Sequence, residues 1–328
     1  MMSPSSSQRG IALITALLVV ALSTIAAVAI ASRLQLDIRR SSNLLNDDQA
    51  WMYALAAEGF AARLLREDMN DGNIDHLEEN WSTEKPEEQQ IFPVEGGIVS
   101  AKLVDLNGKF NLNTLLESVN TSRVDRVNLE RFRRLLITLQ LEPTLSDALI
   151  DYLDNDQNVT LPDGAEDAHY LTLPRPYRTA DRVMSSVSEL RLVKGFDDDK
   201  IYQTLLPFVC VLPDITSINV NTAPAEVLKS LDNHLTDADV EALIEHREDN
   251  PFKDTNEFLL TVRGLNQQVN QANMLKGLDV RSNYFLLHSN ALIGRGEVNL
   301  YSVLRRENNG NTSTISRARL LQSNVDGF

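Results

Sequence analysis

From residue 11 to residue 31 the chain is an uninterrupted apolar run of 21 residues, without charge, proline or glycine. No other feature restricts the fold as strongly. At the helical rise such a run is about 31 Å long, close to the roughly 30 Å hydrocarbon core of a bilayer. Thr15, Ser23 and Thr24 are its only polar members, and their hydroxyls can bond back to helix carbonyls, which makes them tolerable in lipid. A secretory signal peptide carries its cleavage site after the apolar segment and loses that segment. Here a short polar leader ends in Gly10, directly before the run. A cut after Gly10 leaves the apolar segment on the mature chain, with Ile11 as the new terminus. Flanking charge does not fix the orientation. Arg9 precedes the run, but Arg33, Arg39 and Arg40 follow it, against the positive-inside bias, and a large domain is exported regardless of that bias.

The helix is expected to continue beyond the membrane. No proline occurs in residues 35–68, and Ala50, Tyr53, Ala54, Ala57, Phe60, Ala61, Leu64 and Leu65 recur at helical spacing. Asp71-Gly72 is a stop signal. One helix over about residues 11–69 is therefore predicted, its first half in lipid and its second packed on a soluble domain. Strand patterns follow over 97–105 and, near the C-terminus, over 284–293, 297–305 and 314–321. Gly294-Arg295-Gly296 and Asn308-Asn309-Gly310-Asn311 supply the turns. The roughly 170 residues between the first and second strands read as helical. The predicted fold is α+β: a long N-terminal helix with an antiparallel sheet, interrupted by a large all-α insert. The predicted divisions are 1–10 leader, 11–31 membrane half of the helix, 32–109 first part of the sheet domain, 110–280 insert, and 281–328 C-terminal strands.

The insert contains a repeat. Phe110-Asn111-Leu112-Asn113-Thr114 corresponds to Ile218-Asn219-Val220-Asn221-Thr222, and Leu145-Ser146-Asp147-Ala148 to Leu235-Thr236-Asp237-Ala238. Glu189-Leu190 through Val193-Lys194-Gly195-Phe196 corresponds to Glu257-Phe258 through Val262-Arg263-Gly264-Leu265. Asn and Thr can cap a helix start in each copy, and Ser146 or Thr236 is expected to open the next helix. The first copy carries an extra excursion of 22 residues.

The leader, the retained apolar helix and the later strands resemble the type IV pilin and pseudopilin superfamily. The resemblance implies cleavage after Gly10 by a prepilin peptidase and methylation of Ile11. It also implies a glutamate at the fifth mature position, where this chain has Thr15. One class lacks that glutamate, the minor pseudopilin K of type II secretion systems. Trp51 to Gly59, Phe92-Pro93-Val94-Glu95-Gly96-Gly97, the stretch from Asp105 to Asn113, Gly164-Ala165-Glu166-Asp167, Pro176-Tyr177-Arg178 and Ser188-Glu189-Leu190 resemble that class in order. The class implies a structural subunit at the tip of the pseudopilus that initiates or caps assembly for export across the outer membrane. Its partners would be the minor pseudopilins I and J, then pseudopilin H and the major pseudopilin G. It would sit in the inner membrane as a single-pass protein with a periplasmic head.

Composition agrees. A net charge of −15 disfavours nucleic acid and anionic membrane surfaces as partners of the soluble part. Cys210 is the only cysteine, so no intramolecular disulfide forms, and its apolar neighbours read as packing. The second repeat copy resembles a helix-hairpin-helix module, which opens the alternative of a membrane-tethered DNA-binding or uptake protein. DNA-binding versions have a glycine-bearing hairpin whose N–H groups reach a phosphate. The equivalent Asp232-Asn233-His234-Leu235-Thr236 has no glycine and an acid. The two repeats are expected to be helix-hairpin-helix or SAM-like scaffolds without nucleic acid.

The excursion of the first copy holds Asp151, Asp154, Asp156, Asp163, Glu166 and Asp167. Oxygen ligands at this density suit calcium, but the glycine and terminal glutamate of an EF-hand loop are missing, so a solvated acidic loop remains open on the residues alone. The family resemblance implies calcium, with Asp154, Asp156, Glu166 and Asp167 as ligands. Asp197-Asp198-Asp199 reads instead as a helix N-terminus. The five histidines show no metal-ligand spacing, and no nucleophile elbow or phosphate loop occurs. No enzymatic activity is expected.

Overall fold

The computed structural model describes residues 7–82 and 90–320. Residues 1–6 of the leader and Leu321 at the end of the last predicted strand lie outside them. Helix α1 runs through Ser7–Asp71, 65 residues without a break. Its two halves differ in what surrounds them. Residues 10–44 are exposed along every face, and the apolar part, whose most apolar 18-residue stretch has a mean hydropathy of 2.7, packs against nothing among the described residues. Thr15 Oγ1 donates to the carbonyls of Ile11 (3.1 Å) and Ala12 (3.0 Å), and Thr24 Oγ1 to that of Val20 (2.8 Å). Both hydroxyls are therefore satisfied within the helix, as lipid requires. In the second half Ala50, Ala54, Ala57, Ala61 and Leu65 are buried. The buried stripe is narrower than predicted, because Tyr53, Phe60 and Leu64 flank it and stay partly exposed. Small side chains let the helix lie close on a sheet.

That sheet begins with β1 (Gln90–Val94) and β2 (Gly97–Asp105), and its remaining strands follow the insert. The insert opens with β3 (Phe110–Asn111), a 3-10 turn over Leu112–Leu115, α2 (Arg126–Thr138), α3 (Leu145–Leu153), α4 (Asp167–Tyr170), α5 (Asp199–Leu205) and β4 (Val209–Cys210). The second copy comprises β5 (Ile218–Asn219), α6 (Ala225–Ser230), α7 (Asp237–Asp249), α8 (Thr255–Leu265), α9 (Gln271–Met274) and β6 (Leu278–Asp279). The sheet then completes with β7 (Tyr284–Ile293), β8 (Gly296–Arg306) and β9 (Thr312–Leu320). Its order is β1-β2-β7-β8-β9, antiparallel throughout. Alternate residues face α1: Val99, Ala291, Val298 and Leu300 meet Ala50, Ala54 and Ala57, while Leu103, Phe285, Leu287 and Leu304 meet Ala61, Leu65 and Trp81.

Two charged locks fix α1 to the last strands. Glu58 lies beneath the sheet and accepts from Ser302 Oγ (2.6 Å), Thr314 Oγ1 (3.0 Å) and the Arg317 guanidinium (2.7 and 2.8 Å). Burial alone would raise its carboxyl, but the bonds from Arg317, Ser302 and Thr314 outweigh burial and hold it below the usual range. Arg306 donates to Asp68 (2.9 Å), to Asp75, and to the carbonyls of Leu65 (3.2 Å) and Ser282 (2.8 Å). It thereby ties the helix end, the following loop and the exit from the insert together.

The insert is not wholly helical, as its sequence had suggested. β3 pairs with β4 and β5 with β6, each a two-residue parallel bridge. The bridge closes each repeat by bringing its last residues beside its first, and two residues are too few to show a strand periodicity. The repeated asparagines do equivalent work. Asn113 Nδ2 donates to the Met184 carbonyl (2.9 Å) while its Oδ1 accepts from Met184 N–H (2.8 Å). Asn221 makes the same two-way pairing with Phe252 (2.9 Å each). Thr236 caps α7 in a capping box with Asp239. Ser146 does not open α3: that helix starts at Leu145, and Ser146 Oγ donates to the Pro143 carbonyl (2.9 Å). Both copies share one apolar core, in which Phe110, Phe132 and Leu135 join Val227, Leu228 and Phe258. Buried Arg131 reinforces the join, donating to the carbonyls of Lys276, Asn273 and Met274. Asn107 forms the neck, donating to the Ser217 carbonyl (3.0 Å) and accepting from Asn283 (3.1 Å) and Tyr284 (2.9 Å) N–H.

Candidate functional sites: an acidic loop and an uncovered helix

The acidic loop follows α3. Asp154 closes that helix, its N–H donating to the Ile150 carbonyl (2.9 Å). Asp156 Oδ1 accepts from Asn158 N–H (2.7 Å). Both oxygens of Asp151, on the last turn of α3, accept from Thr160 N–H (3.0 and 3.1 Å) and draw the loop back toward the helix. Gly164 makes the return possible, because a Cβ there would lie 2.2 Å from Asp151 Oδ2 and 2.4 Å from the Thr160 carbonyl oxygen. Gly164→Ala is therefore expected to displace the loop at a cost of about 1–3 kcal/mol, read as a lower melting temperature. An unchanged melting temperature would show that the loop has room for a methyl.

Glu166 then enters as the residue before α4, but its side chain does not cap that helix. The residue is 2% exposed, and neither carboxylate oxygen has a hydrogen-bond partner among the described residues. Asp154, Asp156 and Glu166 each present a carboxylate oxygen, and the three lie within 4.8 Å of one another. Burial, then the charges of Asp151, Asp154, Asp181 and Asp156, push the Glu166 carboxyl up to about 8. Burial and Asp156 push Asp154 up to about 6. A buried carboxylate without partners is costly, and three converging ones demand protons or a cation. An all-oxygen set of this kind suits a hard divalent cation such as calcium.

Asp167 is not brought into this group. Its carboxylate accepts from Thr179 N–H (3.0 Å), Thr179 Oγ1 (3.0 Å) and Arg178 (3.1 Å), which anchors α4 to the chain after it. Asp181, which local spacing does not single out, accepts from Thr179 Oγ1 (2.6 Å) and adds its charge to those facing Glu166. It has φ of +49°, a left-handed conformation that Asp tolerates better than most residues. Asp198 caps α5, accepting from Lys200 (2.8 Å) and Ile201 (3.3 Å) N–H, in keeping with the helix-start reading of its sequence.

Two other sequence features resolve as packing. Cys210 is buried, with Sγ toward the Leu106 carbonyl (3.4 Å), and burial pushes its thiol up to about 12. In the hairpin-like connection, Asp232 accepts from His234 N–H (3.0 Å) and Asn270 N–H (3.0 Å), and its Oδ1 lies 2.9 Å from His234 Nδ1. A carboxylate therefore occupies these amides, which an approaching phosphate would need.

Gly10, Ile11 and Thr15 lie on the exposed part of α1. An apolar half-helix that packs on nothing among the described residues, continuous with a half-helix wrapped by an antiparallel sheet, defines a membrane-anchored, pilin-like assembly subunit. Family models described as type II secretion system protein K match residues 108–214 and 218–281, in register with the two repeat copies. The chain is 36% identical to type II secretion system protein K of Pseudomonas aeruginosa PAO1 over 323 residues, 94% of this chain and 92% of the relative. It is 33% identical to the protein of that name from Aeromonas hydrophila over 339 residues, 92% and 98% of the two chains. A chain in the crystal structure of the GspK–GspI–GspJ complex from the enterotoxigenic Escherichia coli type 2 secretion system superimposes with a TM-score of 0.74. It is 26% identical and covers 86% of this chain and 100% of its own. The chain belongs to the type II secretion system protein K family, and its role is that of a minor pseudopilin.

Proposed function

We propose that this minor pseudopilin stands at the tip of the pseudopilus, held in the inner membrane by residues 11–31 with its head in the periplasm, and that it initiates or caps assembly. The observation that carries this reading is the asymmetry of the molecule. The uncovered apolar helix is available to partner helices, while the insert forms a broad body against the sheet. Its two copies act as helix-hairpin-helix or SAM-like scaffolds that widen the head and obstruct a further subunit above it. Thr15 supports the same position, because its hydroxyl is satisfied by its own helix and needs no group from a neighbouring subunit. The role is structural, with no reaction catalysed. The partners are minor pseudopilins corresponding to I and J, in line with the complex formed by the Escherichia coli relative, followed by pseudopilin H and the major pseudopilin G. Mixing the full chain in detergent with pseudopilins I and J is expected to give a stable ternary complex by size-exclusion chromatography. Separate elution of all three would overturn the reading.

Processing follows from the leader. Prepilin peptidase cleaves after Gly10 and Ile11 is methylated. Mass spectrometry of the mature chain is expected to find a methylated N-terminal Ile11. Retained Met1, or a terminus after Ala31, would refute this processing. Calcium is held by Asp154, Asp156 and Glu166, with Asp167 fixing α4 beside them. When bound, the ion supplies positive charge that holds these carboxylates ionised and the excursion closed against α3. The unpartnered, buried Glu166 is the observation that favours this over a solvated loop.

A further inference from the structure

Helix α7 turns one acidic face toward an open groove. Asp237, Glu241, Glu245 and Glu248 follow one another at steps of four, four and three residues, with Val240 and Ile244 beside them, so all six share one side of the helix. Together with the end of α2 and one side of α6, this face bounds a groove of about 670 Å³. Val240 is buried in its floor. Ile244 and Ala225 of α6 are only half-buried: they pack on the core of the insert and also line the groove. The groove therefore offers an apolar strip that is open to a partner, bordered by carboxylates that are exposed on α7.

These charges are not balanced within the molecule. Lys229 is the single cation lining the groove, and Asp237 holds it in an ion pair. Glu226 of α6 and Glu241, Glu245 and Glu248 of α7 have no hydrogen bond and no ion pair among the described residues. Like charges three and four residues apart destabilise a helix. Glu248 also stands in the last turn of α7, where the helix dipole disfavours an acid. Its neighbour Arg247 does not offset it, being buried and donating to the Val220 (2.9 Å) and Ala223 (2.7 Å) carbonyls. The three glutamates of α7 are strung over about 10 Å at the helical rise, whereas Asp154, Asp156 and Glu166 gather on a point. Such a row suits several cations in line rather than one metal ion. A row of acids beside a half-open apolar strip complements a helix that carries basic residues along one stripe and an aliphatic residue next to them.

We propose that this groove docks a basic amphipathic helix of a partner protein, its Lys or Arg side chains paired with Glu241, Glu245 and Glu248 and an aliphatic side chain seated on Ile244 and Ala225. The inference deepens the reading of the head as an assembly subunit and rests on it. The probe is a fluorescein-labelled, amide-capped peptide of Lys and Ala with a single Leu, its lysines recurring at helical spacing. It is titrated by anisotropy into the full chain in non-ionic detergent, with the signal of micelles alone subtracted. A counterpart with Glu in place of every Lys is the comparison. The basic peptide is expected to bind at least tenfold more tightly than the acidic one. Glu245→Gln should weaken it at least threefold without lowering the melting temperature, because the change relieves repulsion along α7. Ile244→Ser should weaken it independently, with thermal unfolding confirming the fold. Glu95→Gln removes the same charge from the turn between β1 and β2 and should leave binding unchanged. Equal binding of the two peptides, or undiminished binding by Glu245→Gln, would overturn the proposal. So would equal weakening by Glu245→Gln and Glu95→Gln, which would show attraction to the net charge of −15 alone. Formation of the ternary pseudopilin complex by the unsubstituted chain, alongside equal binding of the peptides, would sink the docking site alone. Failure to form that complex would sink the assembly reading and the docking site with it.

Discussion

Millimolar calcium is expected to raise the melting temperature of the full chain in detergent by about 5–10 °C, and Glu166→Gln to abolish most of that rise. A ligand present at a hundred times its dissociation constant stabilises the folded state by about 2.7 kcal/mol, and each kcal/mol shifts the melting temperature of a large domain by about 2–4 °C. Glu166 is the decisive residue because both its oxygens are buried without a partner among the described residues. The amide of glutamine keeps the shape and removes the charge that attracts the ion. The pH dependence has a definite sign. Without metal, the Glu166 carboxyl titrates at about 8 and that of Asp154 at about 6, both raised chiefly by burial. A group whose folded pKa is raised contributes its full stability below its unfolded value and loses it as pH rises through the folded value. The metal-free chain should therefore lose stability between about pH 4 and pH 8 from this loop. Calcium binding strengthens over the same interval, because its ligands must be deprotonated, so the calcium-induced rise in melting temperature should be larger at pH 8 than at pH 6. A rise that is absent at millimolar calcium, or equal in Glu166→Gln, would remove the site.

Arg306→Ala is expected to destabilise the chain by about 3–5 kcal/mol, the usual effect of removing one partner from a buried charged group. The arginine is 5% exposed. Without it Asp68 and Asp75 would face each other beside Glu79 with no positive charge between them. Asp68 is already pushed up, first by burial and then by Glu79 and Asp75, with Arg306 opposing. Arg306→Lys should recover only part of the loss, since one ammonium cannot serve two carboxylates and two carbonyls in the fixed fork of a guanidinium. Asp68→Asn in the Arg306→Ala background should recover some of it by removing one of the stranded charges. Chemical unfolding of the four proteins measures these differences. A full-strength Arg306→Ala protein would show that the helix end and sheet are held by apolar packing alone.

The elements of the fold were legible wherever their signal was periodic. The single long helix, strand β2 and the three C-terminal strands agree with the expected ranges to within a few residues, because hydropathy over nine or more positions reports them. The repeat was legible too, from Asn111 and Asn113 matched by Asn219 and Asn221, although their two-way pairing with Met184 and Phe252 was not. The two-residue bridges β3–β4 and β5–β6 carry no periodicity and went unread. Ser146 looked like a helix opener by analogy with Thr236, but α3 begins one residue earlier and the hydroxyl turns back to Pro143.

At the acidic loop, composition marked the segment without sorting its members. Asp154, Asp156 and Glu166 converge, whereas Asp167, adjacent to Glu166 in sequence, points to Thr179 and Arg178. Asp181 faces the group from beyond α4. Glu58 and Arg306 are isolated charges in sequence and became visible as locks only when the sheet closed over them.

The amino-acid sequence by itself determined the apolar N-terminal segment, the continuous helix, the discontinuous sheet and the duplicated insert. Each depends on the side-chain character of neighbouring positions, which backbone periodicity converts directly into one buried face. Only the tertiary structure decided which carboxylates meet, which are anchored elsewhere, and which charges the closing sheet buries. Those outcomes depend on the packing of elements a hundred or more residues apart, where one turn of a helix or one step of strand register changes the neighbour of every charge.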